Sequence, residues 1–188
     1  MPAPERTSRA AIIEAARDLV EQGGADAVTM NAVAARVGIQ APSLYKRLKG
    51  RMELLSLAAE ATVDDLAIRL AIARREAGEG DARTALLSLA RALRAFAHER
   101  PGGYGLVFGP LPATARPRLD ALRRAGAPVL DVTRELAGEE HALDAARTVT
   151  AWANGFILME LAGAFQLGGD VDAAFEWGVE RIADAVSR

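Results

Sequence analysis

Thr29 to Leu55, TMNAVAARVGIQAPSLYKRLKGRMELL, decides the fold: two short helical patterns flank a glycine, and closely spaced basic residues follow. The Thr29 hydroxyl can accept from an orphan N–H at a helix start. Val33, Ala34 and Val37 follow at helical spacing, which predicts a first helix from Met30 to about Val37. Gly38 can take the left-handed conformation that ends such a helix, with Ile39 supplying the apolar contact at the reversal. Pro42 is tolerated only in a first helical turn, so the second helix starts near Gln40 or Ala41. Leu44 and Leu48 then face inward and leave Gln40, Ala41, Ser43, Tyr45, Lys46 and Lys49 on the outer side. That mix of small, hydrogen-bonding and cationic groups suits base edges and phosphates. The segment reads as a helix-turn-helix whose second helix is the recognition helix.

Upstream, a helix from about Ser8 to Gln22 carries the inner stripe Ile12, Ala15, Ala16 and Leu19, and Gly23–Gly24 end it, which completes a three-helix head. Through Arg51 the chain holds eight basic residues against five acidic ones, whereas the remainder holds fifteen against twenty. A basic head on an acidic body means that only the head is suited to a polyanion. Arg6 and Arg9 precede the first helix and are expected along a nucleic-acid backbone or minor groove, or in a solvated tail.

The order Thr29, Val33–Ala34, Gly38–Ile39, Ser43-Leu44-Tyr45, Arg51 and Leu54–Leu55 resembles the DNA-binding segment of the TetR family of transcriptional regulators, over Ala10 to Leu55. Arg47 and Leu48 stand where that family often has histidine-phenylalanine, and Arg51 stands where lysine is frequent; charge or apolar character is kept. The resemblance implies that Thr29, Tyr45, Lys49 and Arg51 touch phosphates. Gln40, Ala41, Ser43 and Lys46 are then the candidates for base edges.

A chain of 188 residues can bury a substantial core. The absence of cysteine excludes disulfides, thiolate metal sites and a cysteine nucleophile, and fits a reducing compartment. His98 and His141 are the only imidazoles, and neither lies in a two-histidine metal motif or a triad. Asp64–Asp65 and Glu139–Glu140 are adjacent carboxylates that point to different faces of a helix and read as solvated charge. Neither an enzyme nor a cofactor is expected. Met1 to Arg9 lacks the apolar region of a secretory signal. The longest helical uncharged run, between Arg147 and Glu160, falls short of the about 20 residues a bilayer requires. A soluble, cytoplasmic protein without membrane contact is expected.

The head is expected to pass at Arg51 into one long helix reaching about Ala77, with Leu54, Leu57, Ala58, Ala61, Leu66 and Leu70 at helical intervals. Gly78 and Gly80 stop it, and Asp81 caps a helix running to about Arg100 through Leu86, Leu89, Leu93 and Phe96. Pro101 to Pro117 reads as loop with short helical pieces, whose Tyr104, Leu106, Val107 and Phe108 wall a pocket or pack into the core. Arg118 to Ala137 is helical, with a kink or break predicted at Gly126 and Pro128. Two further helices, about 144–167 and 171–186, close the chain. The fold class is all-α, with a helix-turn-helix domain over 1–52 joined by a long helix to a helical-bundle domain for effector binding and dimerisation over 53–188.

The first of the last two helices is hydrophobic on more than one side, with Ala153, Gly155, Ala162 and Gly163 among its small residues, and so requires more than one partner surface. Such a pair fits a homodimer in which two helices from each chain form a four-helix bundle. Trp152, Gly155, Phe156 and Glu160 also resemble the C-terminal domain of a TetR subfamily marked by tryptophan followed by histidine-glycine; here Asn154 stands at the histidine position. An amide donates and accepts hydrogen bonds but does not become cationic near neutral pH. An effector cavity is expected among Phe96, Tyr104, Phe108, Trp152, Phe156 and Met159, with Asn154 or His98 as polar contact. The function expected is a regulator, a repressor binding a palindromic double-stranded operator as a dimer, its recognition helices about 34 Å apart, and released by a small, mostly apolar effector. The alternative is a helical protein-interaction module without specific DNA binding.

Overall fold

The computed structural model describes residues 8–78 and 81–187, so the roles assigned to Arg6 and Gly80 lie outside the described residues. The described regular structure is helical: α1 (Arg9–Ala27), α2 (Met30–Arg36), α3 (Ala41–Tyr45), α4 (Arg51–Glu76), α5 (Ala82–Glu99), α6 (Pro101–Phe108), a 3₁₀ turn (Ala113–Ala115), α7 (Leu119–Ala137), α8 (Ala142–Leu161) and α9 (Val171–Val186). Two compact units result, Met1–Asp65 with Arg100–Leu122, and Leu66–Glu99 with Arg123–Arg188. The division falls after Asp65, later than the boundary at residue 52 read from the sequence, because the head also includes the first half of α4 and all of α6.

The first unit is built on the head. Ser8 and Thr29 cap α1 and α2, their hydroxyls accepting from the N–H groups of Ala11 and Ala32 at 3.1 and 3.0 Å. Gly23 and Gly24 leave helical geometry where the sequence places the end of the helix, but α1 resumes beyond them and reaches Ala27. At the end of α2, Gly38 sits at φ +73°, its N–H reaching Ala35 and the N–H of Ile39 reaching Ala34. These paired bonds satisfy carbonyls that a helix end leaves open. Ile12, Ala16, Val20, Val33, Ala34, Leu44, Leu48, Leu54, Leu55 and Leu106 close one apolar core.

Where loop with short helical pieces is expected, residues 101–108 form one eight-residue helix packed on α1. Gly102 and Gly103 are poor helix formers, and the helix exists because tertiary contact rewards it.

In the second unit α5 presents Leu86, Leu89, Leu93 and Phe96 to a core that includes Val149, Ala153 and Ile157 of α8 and Phe175, Val179 and Ala183 of α9. Of the kink or break expected at Gly126 and Pro128, the break does not occur: α7 runs through both residues as one helix. Pro128 has no N–H to donate, and the turn it would have bonded lies at exposed Arg124. α8 stops at Leu161, earlier than the expected 167, because Gly163 at φ +63° turns the chain: its N–H and that of Ala164 close on Glu160 and Met159. Among the described residues no helix is long and apolar enough to cross a membrane.

Candidate nucleic-acid interface and effector unit

Only Leu44 of α3 is buried in the head, with Leu48 just beyond it. Gln40, Ser43, Tyr45, Lys46 and Lys49 are exposed, Tyr45 by 57%, and Ala41 is half-buried. Gln40 precedes the first turn without using its side chain as a cap, so its amide remains on the outer face. The structure thus gathers six of the eight residues expected at DNA on one short element and its flanking residues, five of them exposed and Ala41 half-buried. Thr29 is exposed, but its hydroxyl is engaged as the cap of α2.

Arg51 is placed differently from the phosphate contact expected of it. Its guanidinium turns inward to the end of α1, where Nε donates to the Val28 carbonyl at 2.8 Å and Nη2 to that of Ala25 at 2.7 Å. A fork of donors suits two neighbouring carbonyls at a helix end, of which that of Ala25 also accepts the Val28 N–H. Arg51 therefore fastens the α1–α2 corner. Glu53, which sequence reasoning passed over, accepts from the backbone N–H of Lys49 at 2.6 Å and fixes the link from α3 to α4; a glutamate three residues past Gly50 was its signal.

The expected effector residues divide between the units. Tyr104 and Phe108 belong to the first, their ring centroids 4.5 Å apart, and burial pushes the Tyr104 phenol up. Phe96, His98, Trp152, Asn154, Phe156 and Met159 belong to the second. There Trp152 stacks on Phe175 at 5.5 Å and tilts against Phe156 at 5.9 Å, and Phe156 meets Phe165 at 4.8 Å. A Cβ on Gly178 would lie 2.4 Å from Trp152 Cζ2, so the indole rests on the backbone of α9. Phe165 and Phe175, which sequence reasoning did not place at the cavity, complete this cluster. Phe96 is in the core, and Met159 is exposed.

A cleft of about 320 Å³ opens beside the cluster, lined by Arg91, Arg94, His98, Glu160, Asp172 and Phe175 among others. The Arg94 guanidinium lies 4.8 Å over the Phe175 ring. It donates from Nε to Glu160 at 2.9 Å, from Nη2 to the other Glu160 oxygen, and from Nη2 to Asp172 at 2.5 Å. His98 Nε2 stands 3.2 Å from Glu160. Hydrogen bonds from Arg94, aided by His98, hold the Glu160 carboxyl below the usual carboxylate range. Glu160 thus ties α8 to α5. Among the described residues no group of His, Asp and Glu is arranged to hold a metal ion.

Comparison with known proteins agrees with this architecture. Residues 12–58 match the family model described as bacterial regulatory proteins, tetR family, and residues 86–182 match the tetracyclin repressor-like C-terminal domain. The chain is 33% identical over 189 residues to an uncharacterized HTH-type transcriptional regulator of Mycobacterium tuberculosis, spanning 98% of this chain and 84% of that protein. It is 30% identical over 200 residues to the class A tetracycline repressor protein from transposon 1721 of Escherichia coli, spanning 94% and 89%. A solved structure of a possible TetR family transcriptional regulator from Streptomyces coelicolor superimposes with a TM-score of 0.71 at 25% identity, over 95% of this chain and 98% of that one.

Proposed function

Because the chain belongs to the TetR family of transcriptional regulators, we propose that it is a repressor which binds a palindromic operator as a homodimer and leaves it when a small, mostly apolar effector occupies the second unit. The observation that carries the reading is the outward set on α3 and its extension, Gln40, Ser43, Tyr45, Lys46 and Lys49, held on a core by Leu44 and Leu48. An element so short that offers hydrogen-bonding groups at its start and cations at its end fits base edges with flanking phosphates. Ala151, Gly155 and Met159 of α8 and Ala173, Ala174 and Trp177 of α9 are exposed, small and apolar residues suited to a second copy through α8 and α9. The effector is proposed to act near Trp152, Phe156 and Phe96, with Asn154 or His98 as polar contact, and can shift the DNA-binding equilibrium only by its differential affinity for the two states. The class A relative is named a tetracycline repressor, which supports repression. A cytoplasmic location is part of the same reading.

The test is binding to a pool of random duplexes across a salt series, with sequencing of what is retained. A recovered palindrome supports the repressor, whereas retention without a shared sequence, or none at low salt, supports a helical interaction module instead. Two substitutions separate the roles within the head. Lys49→Ala should weaken binding to every sequence and reduce the salt slope by about one. Gln40→Ala should leave that slope in place and change which operator is enriched; an unchanged preference removes Gln40 from base reading.

A further inference from the structure

The link from α6 to α7, GPLPATARPR over residues 109–118, belongs to the first unit and is tied to it along its length. Ala115 is fully buried in the core of the head, and Leu111 packs against that core. The Ser56 hydroxyl of α4 donates to the Arg116 carbonyl at 3.3 Å. Arg118 reaches Glu60, one turn further along α4, at 2.9 Å.

The chain between these ties has little freedom. Pro110, Pro112 and Pro117 fix their own φ and restrict the residues before them. The 3₁₀ turn closes with the Ala115 N–H on the Pro112 carbonyl at 2.9 Å. Arg116 follows it in an extended conformation, φ −71° and ψ 147°, as a residue before proline prefers. A side chain carried on so ordered a backbone is presented to a ligand at small entropic cost.

Only the carbonyl of Arg116 takes part in this anchoring. Its side chain is exposed, and the guanidinium makes one long bond, from Nε to the Leu111 carbonyl at 3.4 Å. Among the described residues it meets no carboxylate. The acids that share a face of α4 with Ser56 are already engaged: Glu53 accepts the Lys49 N–H at 2.6 Å, and Glu60 holds Arg118. Ser56 lies one turn beyond Glu53, about 4.5 Å along the helix axis. The Arg116 backbone therefore stands one turn from the carboxylate that fixes Lys49, and the link sets an unneutralised cation beside the basic end of α3. A planar guanidinium with its Nη groups open matches a phosphate with two parallel bonds.

We propose that Arg116 is a phosphate-binding residue outside the helix-turn-helix, which grips the DNA backbone flanking the half-site that α3 reads. It lengthens the footprint of the head and adds affinity without adding sequence preference. The inference rests on the DNA-binding reading above and extends it to a segment distant in the chain from α3.

The test is titration of the full chain with a duplex recovered from the random pool, across a salt series, with phosphate ethylation interference to map the backbone contacts. Arg116→Ala should bind every sequence about fivefold more weakly, with a salt slope lower by about one. The enriched operator should stay the same. Arg116→Gln, polar but uncharged, should match it, so that one misfolded variant leaves the test standing. Arg116→Lys should recover the slope, since it keeps the charge. Ethylation should interfere with wild type at a phosphate outside the recovered half-site, and that position should fall silent in Arg116→Ala while persisting in Lys49→Ala. An unchanged slope in the two uncharged variants, an altered operator, or a wild type without interference outside the half-site overturns the proposal and leaves DNA binding intact. A wild type that binds no duplex sinks the DNA-binding reading and this inference with it.

Discussion

Trp177→Glu is expected to turn the proposed dimer into a monomer and to lower operator affinity by at least about a hundredfold. Trp177 is 67% exposed in the single chain, flanked on α9 by exposed Ala173 and Ala174. A large aromatic standing out of small neighbours has the character of an interface anchor, and such anchors cost 2 kcal/mol or more when truncated, by order of magnitude about 2–4. Glutamate loses that burial and adds a charge that the interface would have to desolvate. Two heads joined in one dimer bind successive half-sites with a high effective concentration, and a monomer forfeits it. The head does not include Trp177, so weak binding to single half-sites at low salt should survive. Light scattering and operator titration check both parts. A dimeric mass retained by Trp177→Glu would show that the apolar face of α8 and α9 is not where two copies meet.

Arg94→Ala is expected to destabilise the second unit by about 2–3 kcal/mol, short of the 3–5 typical for a fully buried pair, because the pair keeps some solvent. The Arg94 and Glu160 side chains are 16% and 13% exposed. Removing the cation leaves Glu160 with His98 alone, releases Asp172, and bares the Phe175 face. The effect carries a pH signature. Glu160 is held below its ordinary value of 4.5, so the unfolded chain binds its proton first, and the stabilisation present above 4.5 is lost as the pH falls through the lower folded value. Wild type should therefore lose stability steeply on acidification below 4.5, and Arg94→Ala should lose less over the same range. Thermal unfolding of both proteins from pH 6 to pH 3 checks this; parallel curves would mean that the pair contributes nothing through ionisation.

Much of the head is legible because its signals are local. Thr29, Gly38, Pro42 and the leucines at 44 and 48 each specify a conformation within a few residues of themselves, and each adopts it. The core stripes of α5 and α9 are legible for the same reason. What escaped is what depends on distant partners. Gly102 and Gly103 look like loop because their propensity is poor, and only the backbone of α1 some eighty residues earlier makes a helix of them. Arg51 is expected at a phosphate from the family resemblance, whereas the carbonyls of Ala25 and Val28, far along the chain, turn it inward. Gly126 and Pro128 read as a kink or break, yet the helix continues through them, with Ala121 and Val132 buried on either side. The aromatic residues expected in one cavity were grouped by type, but type does not say which unit a ring joins.

The thinness of the hold on α3 has an evolutionary consequence. Only Leu44 within that helix is buried, and no side-chain cap depends on Gln40. Exchanges at 40, 43, 45, 46 and 49 therefore cost the scaffold little, since surface substitutions away from caps and cores usually stay within about half a kcal/mol. Operator preference can drift in a duplicated copy of this gene before its fold is endangered, so a lineage can acquire new target promoters through a handful of changes in one stretch of ten codons.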